Sequence, residues 1–475
     1  MQEKKDKKVI ILTIIILLIL LGSRIFFSPL IAGDEFINYY NTIKILNGEQ
    51  MWKEVNIITT PFIYLFGMLI FKVFGTKFIV YRIYNFILNI ILFMLIYNTF
   101  KNLNINKKSS LIYTSILEIP IISYVVLWGV TYNVIAIIFC LIGINLNLKR
   151  KEMKFYNFWQ GIIMFLVFFT KHNIGIYYAI SQIIIEIIIE EKWKKIINLL
   201  KQFSVFIMGI LTFIFILYKN ELLEAFIDMS IIGLSEFTSN ITISKVPCIV
   251  SLGAIVLSVI LIYKKAYDVK NKDKTIILLV TGITMLLMAY PIIDTWHTIL
   301  ASLILYIETI YILDFNGIKL NSNKILVVVN AYLILFVLLN TCYSISCIKK
   351  GNMNLDLDKE STFYLSFIKN PQKQKKLEEF IKSQDGKVLM VSPEAGIYNL
   401  KLDLESRGFF DEPFNGNLGS NQFNKMVKEL ENYENYYILI HTNKKYIQEI
   451  VEFREYIEDN YIKLGEIEDF SIYKK

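Results

Sequence analysis

Long apolar runs recur along most of this chain, each close to the length a helix needs to cross a bilayer. They fall at 9–27, 77–99, 111–128, 132–148, 155–170, 174–190, 200–219, 247–263, 275–291, 296–314 and 324–343. A crossing takes roughly 20 apolar residues. Inside lipid the backbone must satisfy its own hydrogen bonds, so runs of this length and apolarity read as helices. Hydrophobic residues make up 55% of the 475 and charged residues only 19%. Soluble domains are nearer a quarter charged. The chain therefore reads as a polytopic α-helical membrane bundle of eleven spans.

Charge orients it. With the N-terminus inside, the inside loops are 101–110, 149–154, 190–201, 264–274 and 314–324, and all are rich in Lys or Arg. The short outer segments 128–133, 171–173 and 290–296 are nearly free of them. Positive loops stay on the cytoplasmic side, which places the N-terminus in the cytoplasm and the C-terminus outside. The segment 61–75 (PFIYLFGMLIFKVFG) is too short to count as a span. Counting it would put the five basic loops outside, so it reads as an interfacial helix on the outer leaflet. The basic start (MQEKKDKK) precedes a run of about 19 residues without a small-residue cleavage site, and reads as an uncleaved first span. The outer loop 219–246 begins amphipathically, as a plain loop, a lid or a second interfacial helix.

Residues 350–475 change character, with 18 Lys and Arg against 22 Asp and Glu. Their apolar runs shorten to strand length at 387–391 and 436–440, and helical patterns precede them at 373–383 and 422–432. The end, 462–473, alternates like two paired strands turning at Gly465. This reads as a small α/β extracytoplasmic domain over 349–475, after a membrane domain over 1–348 whose first outer loop is 28–76. Residues 408–422 (GFFDEPFNGNLGSNQ) read as a loop. The four cysteines show no CxxC or Cys/His spacing and read as small buried hydrophobes, and no metal site or cofactor is expected. No aromatic-interleaved basic patch suggests nucleic acid.

With this topology the unusual polar residues collect at the outer face. Asp34 and Glu35 follow the first run, leading into Tyr39 and Tyr40. Arg82 opens the second span. Tyr132 and Asn133 occupy one outer turn, Lys171, His172 and Asn173 the next, and Asp294 with His297 a third. Such a set suits group transfer from a lipid phosphate held at the interface. The phosphate leaving group needs fixed cations such as Arg82, Lys171, His172 or His297. The acceptor needs a carboxylate base such as Asp34 or Glu35. A sugar needs aromatic and amide contacts, for which Tyr39, Tyr40 and Asn133 are available. The plainer readings are a snorkelling Arg82, a polar turn at Lys171–His172 and a capped helix start at Asp294–His297. Glu118, Glu186 and Glu308 read as bundle-paired or interfacial.

Several stretches in this order resemble the GT-C superfamily of polytopic glycosyltransferases, most closely its protein-mannosyltransferase-like and aminoarabinose-transferase-like branch. Asp34-Glu35 resembles that family's acidic pair in the first outer loop. Thr60-Pro61-Phe62-Ile63-Tyr64 with Phe71 to Gly75 resembles its interfacial segment, and Tyr81-Arg82-Ile83 the opening of its second span. Phe169-Thr170-Lys171 resembles its Thr-Lys turn, and Tyr290-Pro291 through His297 a stretch before a late span. The chain departs from the pattern in having one proline where two are usual, and Tyr132-Asn133 where Asp-Pro is common. The resemblance implies an inverting transfer from a polyprenyl-phosphate sugar to a lipid, glycan or protein acceptor at the outer face. Asp34 would act as base, with Glu35 beside it. Arg82, Lys171 and His172 would hold the donor phosphate. Tyr39, Tyr40, Asn133, Asp294 and His297 would line the substrate cavity. Other classes open to the sequence are a lipid-linked sugar flippase or transporter, a polysaccharide polymerase or ligase, and an envelope-assembly protein without transferase activity.

Overall fold

The computed structural model describes residues 28–475 apart from 31–32, 234–244, 265–271, 291–292, 319–322, 357–365, 415 and 444–449, together with 11, 14, 15, 18, 19 and 22. Most of the first apolar run and Pro291 thus lie outside the described residues.

Helices dominate. They are α1 (Asp34–Leu46), α2 (Phe62–Phe74), α3 (Phe78–Asn102), α4 (Lys107–Trp128), α5 (Tyr132–Leu148), α6 (Tyr156–Thr170), α7 (His172–Ile189), α8 (Lys192–Lys219) and α9 (Leu223–Ile227). They continue with α10 (Lys245–Lys264), α11 (Lys272–Met285), α12 (Thr295–Ala301), α13 (Leu303–Phe315) and α14 (Asn323–Lys349). Among the described residues α3, α7 and α8 are long and apolar enough to cross a membrane, and α12 with α13, bent by 52°, forms a fourth candidate. The apolar faces explain the packing. Phe100, Tyr113, Leu141, Val167, Tyr178, Ile277 and Ile307 belong to one buried cluster, while α8 leaves Leu200, Met208 and Leu211 at 60–66% exposure, as a lipid-facing helix does. The Asn106 side chain accepts from the Ser109 backbone N–H at 2.9 Å, capping α4, which satisfies one of the donors a helix start leaves open.

The segment expected to be interfacial is indeed a short helix. The 13 residues of α2 span about 20 Å. It buries Ile63, Tyr64, Gly67 and Phe71 and leaves Leu69, Val73 and Phe74 largely exposed. In the loop after α8, a π turn (Asp228–Ile232) continues α9, and Phe226 and Met229 are buried.

The later residues hold α15 (Pro371–Ser383), α16 (Ala395–Lys401), α17 (Gln422–Leu430), α18 (Val451–Asn460) and two sheets. One sheet has the order β4 (Val388–Val391), β5 (Tyr437–His441), β7 (Phe470–Lys474), β6 (Ile462–Ile467). β4 runs parallel to β5, and the other pairs are antiparallel. The terminal hairpin turns at Glu468 and Asp469. Gly465 instead sits inside β6 beside a register shift, so the expected turn position is corrected: the alternation Ile462, Leu464 carries on past the glycine. The other sheet was not foreseen. β1 (Pro29–Leu30) pairs in parallel with β3 (Ser366–Lys369), which pairs antiparallel with β2 (Met353–Asp356). Two residues give no periodicity to read. The cysteines are also more varied than expected. Cys140 is buried, Cys248 and Cys347 are half-buried and Cys342 is exposed.

Candidate functional site

α1 begins at Gly33, whose extended backbone lets Asp34 and Glu35 occupy the first turn, where the helix dipole favours carboxylates. Consecutive helical residues point about 100° apart, and the pair divides. Glu35 is buried, at 8% exposure, and Asp34 half-buried. Among the described residues, no hydrogen bond or ion pair engages the Asp34 carboxylate. Burial raises its pKa above the usual aspartate value; His297 and Lys171 pull it back, and Asp294 adds a smaller upward push.

Those neighbours come from two turns far apart in sequence. Lys171 is the single extended residue between α6 and α7. Its Nζ donates to Asn133 Oδ1 at 3.0 Å and lies 4.9 Å from the centre of the Tyr132 ring. Burial lowers its pKa to about 8, against the opposing pull of Asp34. Asp294 caps α12, accepting from the His297 backbone N–H at 2.8 Å, and its Oδ1 lies 2.9 Å from His297 Nδ1. Burial alone would raise the Asp294 pKa, but the His297 hydrogen bonds bring it below the usual value. With Nδ1 held, the other ring nitrogen of His297 is the one left for a ligand. His172 begins α7, and its Nδ1 is buried with no hydrogen-bond partner among the described residues.

The α6–α7 turn is close-packed. A Cβ on Gly175 would stand 2.3 Å from Phe168 Cα, and backbone cannot yield as a flexible side chain does. Gly175→Ala is expected to force α6 and α7 apart, lowering stability by about 1–3 kcal/mol and moving Lys171. Thermal unfolding in detergent checks the first.

The structure thus brings Asp34, Lys171, Asn133, Asp294 and His297 into one recess, with Asn133 holding Lys171. It places four other predicted residues elsewhere. Arg82, 2% exposed, donates to the Ser28 and Pro29 carbonyls at 2.8 and 3.2 Å and to Glu35 Oε2 at 3.3 Å. Its guanidinium lies 4.6 Å from the Phe78 ring centre. Arg82 therefore anchors the strand before α1, in place of the expected phosphate contact. Glu35 serves as its counter-ion, in place of a partner for Asp34. Tyr39 is fully buried, with its hydroxyl on the Thr76 carbonyl at 2.7 Å and its ring among Phe71, Phe78 and Tyr81. Tyr40 donates to Asp411 Oδ2 at 2.8 Å. The period of α1 thus turns Tyr39 toward α2 and α3 and Tyr40 toward residues 396–411.

Sequence reasoning missed two things. The first is residues 408–412, which were read as plain loop. They insert against α1, and Glu412 is only 2% exposed, with Asp34 among the charges acting on it. A second acidic pair, Asp411-Glu412, following two phenylalanines, was the available signal. The second is a polar cluster toward the other end of α5. Arg150 binds Glu186 at 2.9 Å and Glu190 at 2.5 Å. Asn198 and Gln202 donate to Glu186 at 3.2 and 3.0 Å, and Asn147 to Gln182 at 3.0 Å. Glu186 is thus paired within the bundle as expected, whereas both Glu118 carboxyl oxygens are buried without a hydrogen-bond partner among the described residues. The polar residues therefore do not all collect at one face.

No family model matches the chain, and no curated protein or solved structure matches it.

Proposed function

We propose that this is a multi-pass membrane glycosyltransferase that moves a sugar from a polyprenyl-phosphate donor to a hydroxyl- or amine-bearing acceptor at the outer face. In this reading the chain has about eleven spans, a cytoplasmic N-terminus and an extracytoplasmic α/β domain over 349–475. The observation that carries it is the Asp34 carboxylate, half-buried and unengaged among the described residues, in the field of Lys171 and His297. A base awaiting a proton from substrate needs that freedom. Asp34 takes the proton of the acceptor nucleophile as its oxygen or nitrogen attacks the anomeric carbon from the side opposite the phosphate. The C–O bond to the phosphate breaks, and the configuration inverts. Lys171 and His297 meet the charge that grows on the leaving phosphate. Being fixed beforehand by Asn133 and Asp294, they stabilise the transition state without reorganising.

An apolar cleft of about 690 Å³ between α2, α6 and α8 supports the lipid part of the reading. Phe165, Phe169, Met208, Phe213 and Leu217 line it, and Phe169 precedes Lys171 by two residues. A polyprenyl tail there would leave its phosphate near the α6–α7 turn.

The test is consumption of radiolabelled polyprenyl-phosphate sugars by membranes carrying the protein, across several sugars. Transfer of label, or its release to water, supports the reading. Label left on every donor by well-expressed protein would count against it. A pH effect follows from Lys171. Its charge is lost as pH rises through about 8, so the KM for donor is expected to rise over that interval, as kinetics from pH 6.5 to 9 would read.

The buried Arg150–Glu186 cluster favours a second reading, a flippase or transporter of lipid-linked sugars, since such proteins carry polar groups through the bilayer depth. Movement of labelled donor between leaflets without chemical change would select it.

A further inference from the structure

Asp411 and Glu412 are adjacent carboxylates with opposite surroundings. Asp411 is saturated. It accepts from Tyr40 at 2.8 Å, Ser406 at 3.0 Å, Asn399 at 3.1 Å and the Arg407 backbone N–H at 3.1 Å, with Lys44 Nζ at 3.7 Å. That set locks loop 406–412 onto α1. Glu412 has one donor, Asn41 Nδ2 on Oε2 at 3.1 Å. Its Oε1 is buried with no hydrogen-bond partner among the described residues.

Glu412 is not alone in this. Asn41 Oδ1 and Asn56 Oδ1 are also buried without a hydrogen-bond partner among the described residues, and their residues are 1% and 4% exposed. The groups form one cluster. Asn56 Nδ2 donates to the Phe409 and Glu412 carbonyls at 3.1 and 3.0 Å, and Asn41 Nδ2 reaches the Asn56 carbonyl at 3.5 Å. Buried polar atoms left open are costly and are rarely gathered in one place. These gather beside the candidate base, since Asp34 lies close enough to act on Glu412.

We propose that Glu412, Asn41 and Asn56 form the acceptor subsite, which holds a hydroxyl-bearing acceptor on the Asp34 side of α1. This rests on the transferase reading and adds where the second substrate sits. The C-terminal segment then supplies part of the site. The chemistry of Glu412 is specific. Burial pushes it up to about 8, with Lys44 and Asn41 opposing and Asp411 and Asp34 adding to the rise; Tyr64 faces the same group. Near neutral pH the carboxyl carries a proton. Asn41 donates to Oε2, so the proton belongs on Oε1, which becomes a hydrogen-bond donor toward an acceptor oxygen. The two open amide oxygens of Asn41 and Asn56 accept from hydroxyl groups.

The test uses the full-length protein in lipid nanodiscs, a polyprenyl-phosphate sugar that the wild type consumes, and glycerol and methyl glycosides as acceptor probes. KM for donor and for probe are measured from pH 6.5 to 9. Glu412→Ala removes the donor and is expected to raise the KM for probe at least tenfold while the KM for donor stays within twofold. Glu412→Gln keeps a neutral donor and the shape of the side chain, which guards against misfolding as the explanation. In the wild type the KM for probe rises as pH passes about 8; in the Gln variant that rise disappears, while the effect of Lys171 on donor remains. The inference is overturned if the rise persists in the Gln variant, or if the Ala variant leaves the KM for probe unchanged or moves both KM values equally. The cluster then holds structural water only. A wild type that neither transfers nor hydrolyses any donor instead removes the transferase reading beneath it.

Discussion

Asp34→Asn is expected to lower sugar transfer by about 10²–10⁴-fold, the usual contribution of a positioned general base. The substitution keeps the size of the side chain and removes only its capacity to take a proton. Because no described side chain engages the carboxylate, little else is lost with it. The expected signature is a fall in kcat with expression and unfolding temperature close to wild type. The pH profile gives a second reading. A base works when deprotonated, and the raised Asp34 pKa moves the acid limb of the wild-type profile above the usual aspartate range. The alkaline limb comes from loss of the Lys171 charge near pH 8. An Asn variant as active as the wild type would remove Asp34 from the chemistry.

Arg82→Ala should have the largest effect on stability, about 3–5 kcal/mol, as expected when one partner of a buried ion pair is removed. The Glu35 side chain is only 10% exposed and that of Arg82 2%. The truncation leaves a buried carboxylate and takes the donors from the Ser28 and Pro29 carbonyls. Lys should not rescue it, because a single ammonium cannot replace a fork that reaches three oxygens. Thermal unfolding in detergent reads the loss. The double variant Arg82→Met with Glu35→Leu should recover part of it, since both members of the buried ion pair are then replaced by apolar groups together. If Arg82→Ala unfolds with the wild type, Arg82 is not the anchor described.

The comparison of sequence with structure has a physical pattern. Lys171, Asp294 and His297 were legible because a polar residue at the turn between two apolar helices has few places to go. Asp34 was legible for the same reason, just past an apolar run. Arg82 was misread because its partners, Glu35 and two carbonyls, follow from tertiary packing alone. Tyr39 and Tyr40 follow Asp34 on the same helix, and the period of 3.6 turns them toward Phe71, Phe78 and Asp411, away from the recess. The four-stranded sheet was legible from its short apolar runs, apart from its last turn, where Gly465 marks a bulge. Glu412 was hidden by the composition of its loop. Gly, Pro and Asn spell a surface segment, and nothing local says that the segment dips into a bundle.

The tie between Tyr40 and Asp411 spans 371 residues, and β1 likewise pairs with a strand made much later, Pro29 with Phe367. A ribosome adding roughly 5–20 residues per second needs about 20 to 70 s to cover that gap. Through that interval Asp34 and Glu35 are already made, while the loop that closes beside them does not yet exist. The loop that closes beside the recess is therefore made long after the candidate base it closes upon. A chain released early would carry an incomplete recess, so the cell meets this protein either whole or without a finished site.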